Sequence, residues 1–165
     1  MAQVEIRPAR AEEMPGFARQ ASRQLAIPLE MFAGIAPEWT MCAVVDGTIV
    51  TTLAAWPLQM RLAGRAVKLA GVTQVSTHPA HRRRGYLRAV TRAHFEAMHA
   101  RREVAFAGLH PAMVAIYQRY GYGSVHLRHQ YRVAPRDIVF HRPLAVRGRL
   151  REVDPGAEFG VLVEV

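Results

Sequence analysis

The densest chemistry in the sequence is a run of cations around one glycine. Arg82-Arg83-Arg84-Gly85-Tyr86-Leu87-Arg88 follows the strand-like Val75-Ser76-Thr77. Where a buried strand gives way to a helix, the first helical amides have no partner inside the helix, and the aligned peptide dipoles place about half a positive charge beside them. Such a corner binds phosphate. Gly85 lets the main chain approach closely, and Arg82, Arg83, Arg84 and Arg88 raise the potential around it. A pyrophosphate held by amides, with guanidinium groups outside, is the chemistry this pattern fits. A solvated first turn is the plainer reading of the three arginines, but cations at the positive end of a helix oppose its dipole unless an anion offsets them. Two other phosphate grips are not written in the chain: there is no Gly-x-x-x-x-Gly-Lys-Ser/Thr, and no Gly-x-Gly-x-x-Gly follows a strand. His78 and His81 lie close together in the same loop, yet no Asp or Glu falls between Gly47 and Phe95 to complete a ligand set, so no metal site is expected.

The elements that must position this loop can be read on either side of it. Val4-Glu5-Ile6-Arg7 alternates like a half-buried strand ended by Pro8, and Met14, Phe17, Ala18, Ala21 and Leu25 recur at helical spacing, which predicts a first helix over about Ala11 to Gln24. Leu29 to Ile35 reads as a shorter second helix. Asp46-Gly47 between Met41–Val45 and Thr48–Leu53 predicts a hairpin with a type I′ turn, and Ala63-Gly64 turns the chain into a third strand over Ala66 to Thr77. After the basic loop, Leu87, Val90, His94 and Met98 share one helical face, and Glu103 to Leu109 reads as a strand parallel to its predecessor through a right-handed crossover. His110-Pro111 then opens a helix in which Met113, Ile116, Tyr117 and Tyr120 repeat until Gly121 stops it. By this spacing alone Tyr117 is a core residue. Val125 to Val133 alternates again as a strand, and the pattern weakens beyond Ala134-Pro135.

Composition bounds what such a chain can be. With 165 residues, 50% hydrophobic and 21% charged, it has the size and balance of one ordinary globular domain. No apolar run is long enough to span a membrane and the first residues lack a signal-peptide profile, so a cytoplasmic protein is expected. Cys42 is the only cysteine. That excludes an intrachain disulfide and a cysteine-based zinc site, and its apolar flanks suit a buried thiol. The net charge of +9 is concentrated in two acid-free runs, Gly47 to Phe95 and Val104 to Arg136, and implies an anionic partner. Nucleic acid is disfavoured as that partner, since no helix-turn-helix or stacked-aromatic signature accompanies the charge.

Arg82-Arg83-Arg84-Gly85-Tyr86-Leu87, after Val75-Ser76-Thr77, resembles the acetyl-CoA loop of the GNAT N-acetyltransferases, whose pattern is Gln/Arg-x-x-Gly-x-Gly/Ala. More narrowly, Thr77 to Arg88 and Ile116-Tyr117-Gln118-Arg119-Tyr120-Gly121-Tyr122-Gly123 look like the N-terminal domain of the Eis-type acetyltransferases, a branch in which Leu at the position of Leu87 is usual. The resemblance covers roughly Val4 to Val133. It implies an α/β (α+β) fold, the acyl-CoA N-acyltransferase architecture with a mixed central sheet of about six to seven strands and flanking helices. The acetyltransferase domain would occupy residues 1–133, and residues 134–165 would be a linker, a C-terminal extension or the start of a further domain.

The same resemblance implies roles for individual residues. Main-chain groups of Val75, Ser76 and Thr77 would hold the pantetheine arm and the acetyl carbonyl where two parallel strands splay apart. Amides from Arg83, Arg84, Gly85, Tyr86, Leu87 and Arg88 would wrap the pyrophosphate. Ala112 and Met113 match positions near the thioester, although His110-Pro111-Ala112-Met113 replaces the family's more usual small, polar run. Tyr117 matches the residue that protonates the departing thiolate, and a phenol with a reference pKa of about 10 suits that task. Acetyl-CoA would be the cosubstrate, no metal would be needed, and the acceptor would be a small-molecule or peptide amine. In Eis-type proteins the general base is a carboxylate at the end of a later domain; here water, His110 or another carboxylate would serve. Two further readings stay open at this point: an acyl-CoA-binding module without turnover, and a homo-oligomer.

Overall fold

The computed structural model describes residues 3–32, 34–102, 104–127, 129–142, 148 and 152. Strand β1 (Val4–Arg7) runs antiparallel to β2 (Thr40–Val45), which turns through Asp46-Gly47 into β3 (Thr48–Leu62). Both turn residues hold positive φ, +47° and +77°, as a type I′ turn requires. Ala63 and Gly64 repeat that geometry at +48° and +79° and return the chain along β3 as β4 (Arg65–Thr77). β5 (Phe106–Gly108) joins the free edge of β4 in parallel, giving a five-stranded mixed sheet in the order β1-β2-β3-β4-β5.

Successive residues of β2 face opposite sides of the sheet, and each side is covered by a helix. α1 (Met14–Leu25) buries Phe17 and Ala21, and Phe17 packs with Cys42, Val44 and Ala54 on one side. α2 (Tyr86–Arg101) buries Val90, Thr91, His94 and Met98, and Val90 and Met98 pack with Met41, Ala43 and Val45 on the other. Arg7 ties β1 to the entry of α1, its guanidinium donating to both Glu13 carboxylate oxygens at 2.7 and 2.8 Å and to Glu5 at 2.8 Å. The Cys42 thiol is fully buried and donates to the Arg7 carbonyl at 3.2 Å; burial pushes it up to about 11, which leaves it a packing group. Beyond Trp56 the β3–β4 hairpin runs out from under its helical cover, and Leu58, Met60 and Leu62 are exposed.

The strand count is lower than the six to seven expected, because among the described residues Val125 to Val133 holds no strand, and Val125, Leu127, Tyr131 and Val133 are exposed. Alternation shows which face of a strand would be apolar; it does not supply a neighbouring edge to pair with. Two helices are shorter than their spacing predicts. Leu29–Phe32 is a 3₁₀ turn, and α3 (Val114–Gln118) is five residues long, preceded by Met113 in an extended conformation and closed by Gly121 at φ +89°. The chain forms two compact units, residues 1–124 and 125–165; the sheet and its helices lie in the first, and a 3₁₀ turn at Pro135–Asp137 in the second.

Candidate active site

β4 and β5 pair only over Leu69–Phe106, Ala70–Ala107 and Gly71–Gly108. From Val72 onward β4 continues to Thr77 with no β5 partner, so one edge of its main chain is released from the sheet. An irregularity in the pairing with β3 bends this stretch. Thr52 pairs with Ser76 and Ala54 with Thr73, which leaves Leu53 opposite two residues of β4, Gln74 and Val75. Gln74 takes φ +52°, the left-handed conformation of a bulge. The bulge is held from behind by Thr52, whose hydroxyl donates to the Gln74 carbonyl at 2.7 Å and lies 2.7 Å from the Ser76 hydroxyl. Thr51 donates to the Thr77 hydroxyl at 3.2 Å. These side-chain bonds fix the strand from its β3 side and leave the other edge open.

That edge faces a cavity of about 670 Å³. Of the residues singled out in the sequence, Val75, Ser76, Thr77, Leu87, Ala112, Met113 and Tyr117 all line it, from four separate parts of the chain. Arg83, Arg84, Gly85, Tyr86 and Arg88 are not on its wall; they form the adjoining loop and first turn of α2. Arg83 and Gly85 both adopt positive φ, +62° and +83°, and Gly85 is the N-terminal cap of α2. Among the described residues no side chain caps that end of the helix, and the space where a Gly85 side chain would stand is open to at least 4 Å. Among the described residues the start of α2 is therefore uncapped by side chains and open at Gly85. Arg82, Arg83, Arg84 and Arg88 are exposed around them, with Arg82 steadied by a 3.3 Å bond from Nε to the Thr77 carbonyl. His78 and His81 sit edge to face at 5.7 Å, and His78 Nδ1 accepts the Ala80 amide; among the described residues no cluster of metal-ligating side chains is found.

Tyr117 reaches the cavity from α3. Its ring meets Tyr122 edge to face at 5.8 Å, and Tyr122 in turn lies 5.8 Å from Phe95 of α2, so the phenol is braced by an aromatic chain. Burial, with a smaller contribution from Tyr120, raises the Tyr117 phenol above its ordinary value, and burial pushes Tyr122 up to about 12. Both are protonated at neutral pH. Several lining residues escaped sequence reasoning. Gln74 left a weak signal, a polar side chain inside a run that otherwise reads as buried strand; Gln24, Leu25 and Ile27 at the end of α1 left none, since contact with β4 is a tertiary fact.

A protein-family model for the acetyltransferase (GNAT) domain matches residues 5–125. Among solved structures, a probable N-acyltransferase from Enterococcus faecalis is similar over 74% of this chain at 22% identity and a TM-score of 0.65. Eis1 from Mycobacterium abscessus is similar over 73% at 24% identity and a TM-score of 0.61. The chain spans about a third of the length of each of these, 32% and 31%. An aminoglycoside N-acetyltransferase, AAC(6')-Iy in complex with CoA, is similar over 81% of this chain and 96% of its own, at 12% identity and a TM-score of 0.61. At such identities the likeness is one of fold. No functionally curated protein matches the chain by sequence.

Proposed function

Because the chain belongs to the GNAT acetyltransferase domain family, we propose that it transfers the acetyl group of acetyl-CoA to a primary amine by direct attack in a ternary complex. The supporting observation is the junction of three features at one place: the released edge of β4, the uncapped start of α2 and the braced Tyr117 phenol. In this reading the pyrophosphate sits on the amides of Arg83 to Arg88, and the pantetheine arm runs along Val75, Ser76 and Thr77. Ala112 and Met113 flank the thioester. The amine nitrogen attacks the acetyl carbonyl, the new C–N bond forms, the C–S bond breaks, and the thiolate takes its proton from Tyr117. The proton lost by the acceptor passes to water or to His110, which lines the same cavity.

We also read the chain as Eis-like, on the two motifs Thr77 to Arg88 and Ile116 to Gly123, with the acetyltransferase domain reaching residue 133, residues 134–165 as a linker, a C-terminal extension or the start of a further domain, and the cytoplasm as its location. The described residues contain no helix long and apolar enough to cross a membrane. Replacing Tyr117 by Phe keeps the ring and its contact with Tyr122 while removing the acid. Turnover measured by thiol release should fall about 10²- to 10⁴-fold, with acetyl-CoA affinity by calorimetry unchanged. Unchanged turnover would remove Tyr117 from this role, and tight acetyl-CoA binding with no transfer to any amine would leave a coenzyme-binding module in place of an enzyme.

A further inference from the structure

Resting on the acetyl-transfer reading, we propose that the acceptor is a monoamine carried on a compact apolar body, rather than a polyamine or a multiply charged aminosugar. Besides the edge of β4, the cavity is walled by Leu25 and Ile27 at the end of α1 and by Met113 and Ile116 at the start of α3. Ile27 is not a side chain on a loose tail. Ala26 ends α1 in the left-handed conformation, the Ile27 amide donates to the Ser22 carbonyl at 3.3 Å, and the Ser22 hydroxyl donates to the Ile27 carbonyl at 2.7 Å. Ile27 and Met113 are 38% and 62% exposed, so two large apolar surfaces converge on the same opening without burying each other.

An ammonium group brought against these four apolar side chains loses water and regains no polar contact from them. Among the described residues, no carboxylate lines this cavity. Glu5 and Glu13 are paired with Arg7, and Glu96 with Arg92. Among the described residues, the charged side chain on the wall is Arg82, which repels cations. A monoamine can enter as the neutral base at the cost of one proton, the form that attacks the thioester in any case. A polycation must lose several protons or carry its remaining charges past Arg82. The apolar body, meanwhile, gains from covering Leu25, Ile27 and Met113.

The test uses the full chain with acetyl-CoA and follows thiol release with benzylamine, phenethylamine and hexylamine against spermidine and kanamycin, alongside calorimetry with acetyl-CoA. We expect kcat/KM for the apolar monoamines to exceed that for the polycations at least ten-fold. Ile27→Glu should shrink that ratio at least five-fold while leaving acetyl-CoA affinity unchanged. Equal or better turnover of spermidine or kanamycin overturns the proposal, as does an Ile27→Glu variant with an unaltered ratio. Acetyl-CoA binding with no transfer to any of these amines overturns it while sparing the coenzyme site. Failure of acetyl-CoA to bind at all brings down the transfer reading itself, and this proposal with it.

Discussion

His94 occupies the buried face of α2 with 1% of its surface exposed, and its Nε2 has no hydrogen-bond partner among the described residues. Burial, aided by the charge of Arg101, lowers its pKa from 6.5 to about 4, so the fold holds the neutral imidazole. The unfolded chain takes up a proton near 6.5 and the folded chain only near 4. The stability linked to His94 is therefore complete above about 6.5, drains away as pH falls towards 4, and changes no further below that. Its full size is about 3 kcal/mol. Glu13, held down to about 2 by its bonds with Arg7, acts in a lower window, between about 4.5 and 2. His94→Leu should thus flatten the fall in melting temperature between pH 7 and pH 5 while leaving the steeper loss below pH 4. An unaltered slope between pH 7 and 5 would show that the imidazole is not held neutral. The spacing of Leu87, Val90, His94 and Met98 already placed this residue on the inner face; its charge state was not legible, since that depends on the depth of burial.

Among the elements, the bulge of β4 and the start of α2 carry the proposed site, and each hangs on one residue. Thr52 is fully buried and its hydroxyl serves both the Gln74 carbonyl and the Ser76 hydroxyl. Thr52→Val keeps the shape and strands both groups, at a cost of about 1 to 3 kcal/mol. We expect a lower melting temperature together with weaker acetyl-CoA binding, because the bulge re-aims the β4 edge; a stability loss with binding intact would separate the bulge from the site. Gly85 poses the converse case. A side chain there meets no neighbour, so Gly85→Ala should cost only the strain of a left-handed residue, about 1 to 2 kcal/mol. Its methyl group would nonetheless stand beside the first-turn amides, and acetyl-CoA affinity should drop at least ten-fold by calorimetry. Asp46-Gly47, Ala63-Gly64 and the periodicity of α1 and α2 make those elements legible from local chemistry alone. The length of α3 and the bulge within β4 are not legible for the opposite reason: Met113 is extended although its spacing is helical, and the Gln74 bulge exists only relative to β3.

At the scale of the whole molecule the governing quantity is charge. The acid-free run from Gly47 to Phe95 becomes β3, β4, the arginine loop and the first part of α2, so the sequence's uneven charge reaches the start of α2 as a positive field. Arg82, Arg83, Arg84 and Arg88 are exposed there, where salt screens them; the screening length falls from about 10 Å at 0.1 M to about 3 Å at 1 M. Acetyl-CoA brings several phosphate charges to that field, whereas acetyl-pantetheine presents the same thioester and arm with none. Raising sodium chloride from 0.05 to 0.5 M should therefore weaken acetyl-CoA binding by roughly ten-fold and leave acetyl-pantetheine binding nearly unmoved, the two lines converging as the phosphate contribution is screened out. Parallel responses would mean that the arginines hold no phosphate. The loop would then be an ordinary solvated turn whose three cations work against the dipole of α2, and removing them would stabilise the fold.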